Sequence, residues 1–357
     1  MSLEILSLTN LPEDLQHQIR NLDKDIKLTM APGWFDGEIR DTWPTFTVDR
    51  YLSPMSHGQA TKEERDKLLN DAEVILVGFP FPLDLRARSP KLRWVHQRPA
   101  GASNMLRGDL WESDIIVTSS RGYAHNLPIA EYTIATMLHF AKGLHLPEQE
   151  RKAKKLNARG YNVTQLSGKT LCVLGAGGIG TEVGRLASAL GMRVLGIRRN
   201  ASEHIDGFES VASQDQFKTI LPESDYLAIC CQWTEETEKL INDDTLEVIK
   251  DNCVIVNIAR GEIIDEDALV RALAKNKIKG AALDVYVGEF ERPPDSRLWD
   301  DNRVLITPHI SAASDINTHR GNELFLKNLK RYMANETLEN IIAVSYTHLT
   351  LPTRRGG

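Results

Sequence analysis

Residues 170–197 read TLCVLGAGGIGTEVGRLASALGMRVLGI, and their punctuation decides the fold. Thr170–Leu174 is a short, mostly apolar run that predicts a buried strand. Gly175, Ala176, Gly177, Gly178, Ile179 and Gly180 then fit G-x-G-x-x-G. Ile179, Val183, Leu186, Ala187 and Leu190 follow at helical spacing and give one apolar face. Gly191 closes that helix, and Arg193–Ile197 predicts a second strand. A strand, a glycine turn, a helix and a strand within ~30 residues is the context in which this motif binds a dinucleotide. The glycines have separate roles. Gly175 permits the tight turn, Gly177 lets a pyrophosphate approach the main chain, and Gly180 lets the helix pack against the strand. The helix start adds free N–H groups and a positive dipole end for the phosphates.

The chain has 357 residues, which predicts two domains, and its apolar fraction of 41% suffices for ordinary cores. A formal charge of −6 argues against a nucleic-acid partner. No apolar run approaches the ~20 residues of a membrane span. The N-terminal stretch has early acids and no long apolar core, so a secretory leader is not expected. The 4 cysteines, Cys172, Cys230, Cys231 and Cys253, form no C-x-x-C and lie in or beside predicted strands. They predict reduced thiols in a cytosolic protein and no metal site.

Working outward, Ile26–Met30, 92–96, 115–118 and Val74–Val77 are strand candidates separated by proline, glycine and charge. Strands spaced by helical segments predict a parallel α/β domain. The loop RPAGASN (98–104) could offer backbone N–H groups to a small anion or be a plain turn. Residues 128–144 predict a long helix with proline in its first turn, apolar around much of its circumference. Residues 148–162 are polar and basic, an arm or exposed helix. After Ile197 the βα rhythm continues through strands at 226–231, 254–258, 281–285 and Val304–Ile306. A helix at 265–275 has Asp265 as its N-cap. Arg260, Asp284 and His309 each lie at the C-terminal end of one of these strands, the end at which open parallel sheets bind ligands. Residues 319–340 predict a C-terminal helix returning to the first domain. This gives a discontinuous substrate domain, 1–123 with 316–344, and a nucleotide domain, 124–315. The terminal SYTHLTLPTRRGG (345–357) reads as a non-native tail or a disordered native one.

Four segments carry a resemblance: 175–180, VNIARGEIIDEDAL (256–269), GAALDVYVGEF (280–290) and LITPHIS (305–311). Together they resemble the D-2-hydroxyacid dehydrogenase family over residues 74–338. GIRR (196–199), LPESD (221–225) and LWDDNRVLITPHIS (298–311) resemble its glyoxylate/hydroxypyruvate reductase branch. The resemblance implies two Rossmann-like α/β domains with doubly wound parallel sheets, an active site in the cleft between them, and a homodimer. It implies Arg260, Glu289 and His309 as the catalytic trio. It also implies nucleotide contacts at Ile258, Ala259 and Asp284, the last near the nicotinamide carboxamide, and substrate contacts at the backbone N–H groups of Ala100 and Gly101.

The chemistry suits those types. A guanidinium can hold the carboxylate and ketone of a 2-keto acid in one plane by charge-assisted bonds, the role of Arg260. Hydride arriving at the ketone carbon leaves charge on oxygen, and a histidine titrating near working pH can supply the proton, the role of His309. A carboxylate on the other ring nitrogen fixes the tautomer and stabilises imidazolium, the role of Glu289. Arg98 and Arg121 are possible further anion contacts. Gln232 stands where the family usually has proline near the adenine side, and Phe290 where it has proline after the glutamate. Formate dehydrogenases of similar sequence carry glutamine in place of Glu289. A long C-terminal regulatory domain, as in some phosphoglycerate dehydrogenases, is not expected.

The cofactor is expected to be NADPH rather than NADH. NAD-specific folds place an acid after the second strand to bind the ribose 2′-OH. Here Arg198, Arg199 and Asn200 follow Arg193–Ile197, and the first acid is Glu203. An arginine pair suits a 2′-phosphate, unless one or both point to solvent. The substrate remains open among glyoxylate, hydroxypyruvate and larger 2-keto acids. A reading from another class is a dinucleotide-sensing, corepressor-like protein on the same fold, which would bind nucleotide and turn over little.

Overall fold

A computed structural model describes residues 2–342, apart from 102–104, 106, 112, 123–124 and 202–203. Glu203 and the 345–357 tail lie outside the described residues. The chain divides into two units, Met1–Ala124 with Asp315–Gly357, and His125–Ser314.

Unit 1 is built on β1 (Leu3–Ser7), β2 (Ile26–Met30), β3 (Val74–Val77), β4 (Trp94–Gln97) and β5 (Ile116–Ser119). They pair in parallel in the order β2-β1-β3-β4-β5. This is the doubly wound order of flavodoxin-like sheets. Successive strand residues feed opposite layers. Leu6, Ile75, Val77 and Val95 join one core, and Ile5, Val74, Leu76 and Trp94 the other. The second layer is closed by the helix Asn317–Met333, whose Phe325 ring stacks on Trp94 at 5.4 Å.

Unit 2 continues with β6 (Thr170–Leu174), β7 (Arg193–Ile197), β8 (Ser210–Ala212), β9 (Tyr226–Ile229), β10 (Cys253–Asn257), β11 (Ile278–Leu283) and β12 (Val304–Ile306). All pair in parallel, in the order β12-β11-β10-β9-β6-β7-β8. β6, β9 and β10 are buried on both faces, as expected of a sheet covered by helices on each side. Cys172, Leu174, Leu227 and Ile255 pack with the helix Glu266–Ala274. Leu171, Val173, Ala228 and Val254 pack with Asn126–Lys142 and Gly178–Ala189. Chain order reverses between β6 and β9, so the glycine turn after β6 sits at the switch point of the sheet.

Several boundaries differ from the sequence reading. β4 begins two residues later than the apolar run, because Leu92 and Arg93 belong to the turn entering it. The long helix is Asn126–Lys142, and Gly143 in the left-handed region (φ 62°) stops it. The basic arm holds a shorter helix, Leu146–Ala153. The four cysteines are free thiols, and burial pushes Cys172 and Cys231 up to about 12. Among the described residues, no helix is long and apolar enough to cross a membrane.

Candidate active site

β6, β9, β10, β11 and β12 are neighbours and run the same way, so the residues following them line one edge of the unit 2 sheet. Gly175, Arg260, Asp284 and His309 all lie there.

The glycine turn fits a dinucleotide. A side chain on Gly175 (φ 100°) would come within 2.4 Å of the Cys231 nitrogen, and one on Gly180 within 2.2 Å of the Gly175 oxygen. The first contact is with the main chain after β9; the second, with Val173 of β6 at 2.9 Å beside it, seats the helix Gly178–Ala189 directly on β6. At Gly177 a Cβ would meet nothing within 4 Å, so the main chain is open there to an incoming group. Thr181 is the first residue to donate back into the helix, to the Gly177 oxygen at 2.7 Å. The N–H groups of Gly178, Ile179 and Gly180 are thus left for a ligand, and a pyrophosphate suits them.

After β7 the Arg198 N–H donates to the Ala212 oxygen (3.0 Å), which ties the start of the arginine pair to β8. Arg199 lies 3.6 Å from Glu236, with both side chains largely exposed. Such a pair is weak and leaves Arg199 able to exchange partners.

The Arg260 segment is shaped by Asn257, a fully buried amide at the end of β10. Its Oδ1 accepts from the Ala259 N–H (3.0 Å), and its Nδ2 donates to the Arg260 oxygen (2.8 Å). Ile258 and Ala259 are buried within this turn, and Arg260 Nη1 donates to the Ala259 oxygen at 2.6 Å. Gly261 follows because nothing larger fits: a Cβ would lie 2.1 Å from the Tyr286 carbonyl carbon. The main chain bearing Arg260 therefore rests on the main chain leading to Glu289. Glu262 is drawn into the same neighbourhood. Burial pushes its carboxyl up, against its own backbone N–H, and the nearby Glu289 charge adds to the rise.

His309 Nδ1 lies 3.1 and 3.0 Å from the two oxygens of Glu289. The glutamate side chain is 5% exposed and the histidine 25%. An ionised carboxylate only accepts, so Nδ1 carries hydrogen and Nε2 is left for a reacting group. The Phe290 ring lies 6.0 Å from the imidazole, beside the dyad.

His309 has φ 55°, a left-handed conformation that costs a non-glycine residue about 1 kcal/mol or more. The neighbours impose it. Its N–H donates to the Asp284 and Thr307 oxygens, both at 3.0 Å. The fully buried Asp284 carboxylate then gathers the loop. Oδ1 accepts from the Thr307 hydroxyl (2.6 Å) and the Ile310 N–H (2.8 Å), and Oδ2 from the Ser311 N–H (2.8 Å). Since the Thr307 proton is committed to Asp284, Tyr132 donates to Thr307, at 2.5 Å. Asp284 thus holds the loop that carries His309. Asn257, Thr307, Tyr132 and Glu262 are members that the sequence reading misses. Only Asn257 carries a signal, a polar residue closing a buried strand.

In unit 1, Gln97 Nε2 donates to the Gly101 oxygen (2.8 Å) and Ser119 Oγ to the Ala100 oxygen (3.3 Å). The carbonyls are tied back, while the N–H groups of Ala100 and Gly101 donate to nothing among the described residues. The rest of that loop, 102–104, lies outside the described residues. Arg121 is exposed at the end of β5.

Known proteins resemble the chain over most of its length. Residues 134–311 match the family described as D-isomer specific 2-hydroxyacid dehydrogenase, NAD binding domain. The glyoxylate reductase of Korarchaeum cryptofilum is 30% identical over 279 residues, covering 76% of this chain and 82% of that protein. The chain belongs to the D-isomer specific 2-hydroxyacid dehydrogenase family.

As a member, it is an NAD(P)-dependent oxidoreductase of the 2-keto and 2-hydroxy acid pair. The D-3-phosphoglycerate dehydrogenase of Methanocaldococcus jannaschii is 30% identical over 284 residues, covering 79% of this chain. The chain spans about half the length of that relative, 54%. A solved structure of a D-isomer specific 2-hydroxyacid dehydrogenase family protein from Aeromonas salmonicida shares the fold. Its TM-score is 0.77 at 24% identity, covering 96% of this chain and 100% of that one.

Proposed function

We propose that the protein reduces a small 2-keto acid, such as glyoxylate or hydroxypyruvate, to the D-2-hydroxy acid with NADPH. The observation that carries this reading is the His309–Glu289 pair, with Nδ1 on both carboxylate oxygens and Nε2 free to serve the substrate. NADPH, when bound, supplies the hydride. Gly175, Gly177, Gly178, Ile179 and Gly180 would hold its pyrophosphate, with Ile258, Ala259 and Asp284 toward the nicotinamide. Arg260 orients the substrate carboxylate and ketone by forked hydrogen bonds. His309 donates its Nε2 proton to the ketone oxygen as charge develops there, and Glu289 stabilises the imidazolium beforehand. Ala100 and Gly101 in unit 1 offer N–H groups to the substrate carboxylate. A panel of 2-keto acids followed by NADPH absorbance tests the reading. Nucleotide binding without turnover of any member would move the protein to the sensor class.

The cofactor preference rests on Arg198 and Arg199. Charge-assisted hydrogen bonds contribute ~1.5–3 kcal/mol each, so NADPH should be preferred by more than ~10-fold. Arg198→Ala should raise the KM for NADPH and barely change that for NADH, measured by initial rates at subsaturating nucleotide. Equal efficiency of the wild type with both nucleotides would overturn the preference.

We also propose a homodimer working in the cytosol. Leu144, Leu156 and Val163 are 56%, 92% and 54% exposed along the arm that follows Asn126–Lys142, apolar surface that a second copy would cover. Light scattering should give twice the chain mass, and a monomer at micromolar concentration would overturn this assembly.

A further inference from the structure

Unit 1 contains a cation to which the reading above gives no task. Arg98 follows β4, its side chain is half-buried, and burial pushes its guanidinium pKa down. Its partner is neutral: Nη2 donates to Asn322 Oδ1 at 3.1 Å, from a buried amide on Asn317–Met333. Among the described residues no carboxylate reaches it. The titratable neighbour is no substitute. His96 is fully buried, and burial, with the Arg98 charge adding, pushes it down to about 3, so it stays neutral. Its Nδ1 is already engaged by Thr118 at 2.8 Å.

The same unit treats another shielded arginine differently. Arg88, 13% exposed, meets Glu38 at 2.6 Å and Asp66 at 2.5 Å. A shielded guanidinium without an acid is costly to keep, because desolvation is not offset by a counter-charge. Two residues further on, the carbonyls of Ala100 and Gly101 are tied back and their N–H groups are without acceptors among the described residues. A cation and two donors thus share four consecutive residues at the C-terminal end of β4, the ligand-binding end of a parallel sheet.

We propose that Arg98 is a carboxylate-binding residue that grips an acid group of the substrate. This rests on the 2-keto acid reading and extends it. The acid group is either the carboxylate beside the ketone or a second, distal one.

Arg98→Met keeps the aliphatic stem and removes the charge. Its KM should rise about 10- to 100-fold, the loss of one charge-assisted contact, with the effect on KM rather than kcat. Glyoxylate carries one carboxylate and 2-oxoglutarate two. An equal rise on both assigns Arg98 to the carboxylate beside the ketone, and a rise on 2-oxoglutarate alone to the distal acid. Arg98→Lys, which keeps charge but loses the fork, should fall between wild type and Met. A purely structural role would lower the melting temperature and leave KM in place. Added without reducing nucleotide, 2-oxoglutarate should raise the melting temperature of wild type more than that of Arg98→Met on either assignment, and oxamate, which has one carboxylate, should do so only if Arg98 holds the carboxylate beside the ketone. That arm reads binding even if no keto acid is turned over, so the two readings fail separately. Unchanged KM on both substrates, or equal stabilisation of both proteins by 2-oxoglutarate, overturns the proposal.

Discussion

His309→Gln is expected to lose ~10²–10⁴-fold in kcat, the usual contribution of a positioned general acid. Glutamine can occupy the space and hydrogen-bond Glu289, but it has no titrating proton to give to the ketone oxygen. Nucleotide binding should survive, because the glycine turn after β6 and the arginines after β7 do not depend on His309. Steady-state reduction of a 2-keto acid measures the first effect, and NADPH fluorescence on titration the second. A variant within a few-fold of wild-type kcat would remove His309 from the mechanism.

Asp284→Asn should produce a second large effect of a different kind. The carboxylate accepts three hydrogen bonds, from Thr307, Ile310 and Ser311. Asparagine keeps one acceptor oxygen and turns an NH₂ toward a buried donor. Stranding one such donor costs about 2 kcal/mol, or roughly 4–8 °C in melting temperature for a unit of this size. The loop from Thr307 to Ser311 should relax and carry the imidazole with it. A misplacement of about 1 Å can cost ~10²-fold, so kcat should fall ten-fold or more. The split between parameters discriminates. Loss mainly in kcat marks Asp284 as a positioning residue, whereas a rise confined to the KM for nucleotide marks a nicotinamide contact alone. Wild-type kcat and melting temperature together would refute the loop-holding role.

The reach of the sequence differs between the two units for physical reasons. β6 and β7 are legible to the residue, because an uninterrupted apolar run next to a glycine turn has few other structures open to it. β1 (LEILS) and β8 (SVA) are not separated from their surroundings, being short, at or near sheet edges, and interrupted by polar residues. Arg260, Asp284 and His309 stand out as polar residues just past apolar strands. What surrounds them does not stand out, because it is made by tertiary contact. Tyr132 meets Thr307 across 175 positions of sequence, and no local pattern announces that pairing. Gly261 illustrates the same limit. Its neighbour within 2.1 Å of a would-be Cβ comes from another strand's loop, so its necessity is visible only once the chain is folded.

The hold of Asp284 on the 307–311 loop uses two main-chain donors, those of Ile310 and Ser311, and one side chain, that of Thr307. A main-chain N–H is present in nineteen of the twenty residue types. The geometry around the histidine is therefore insured against drift at position 310, whose side chain is exposed, provided that it does not become proline. Variation can accumulate on the outward surface of this loop while the imidazole stays in place, and substrate preference can be retuned there without disturbing the proton donor.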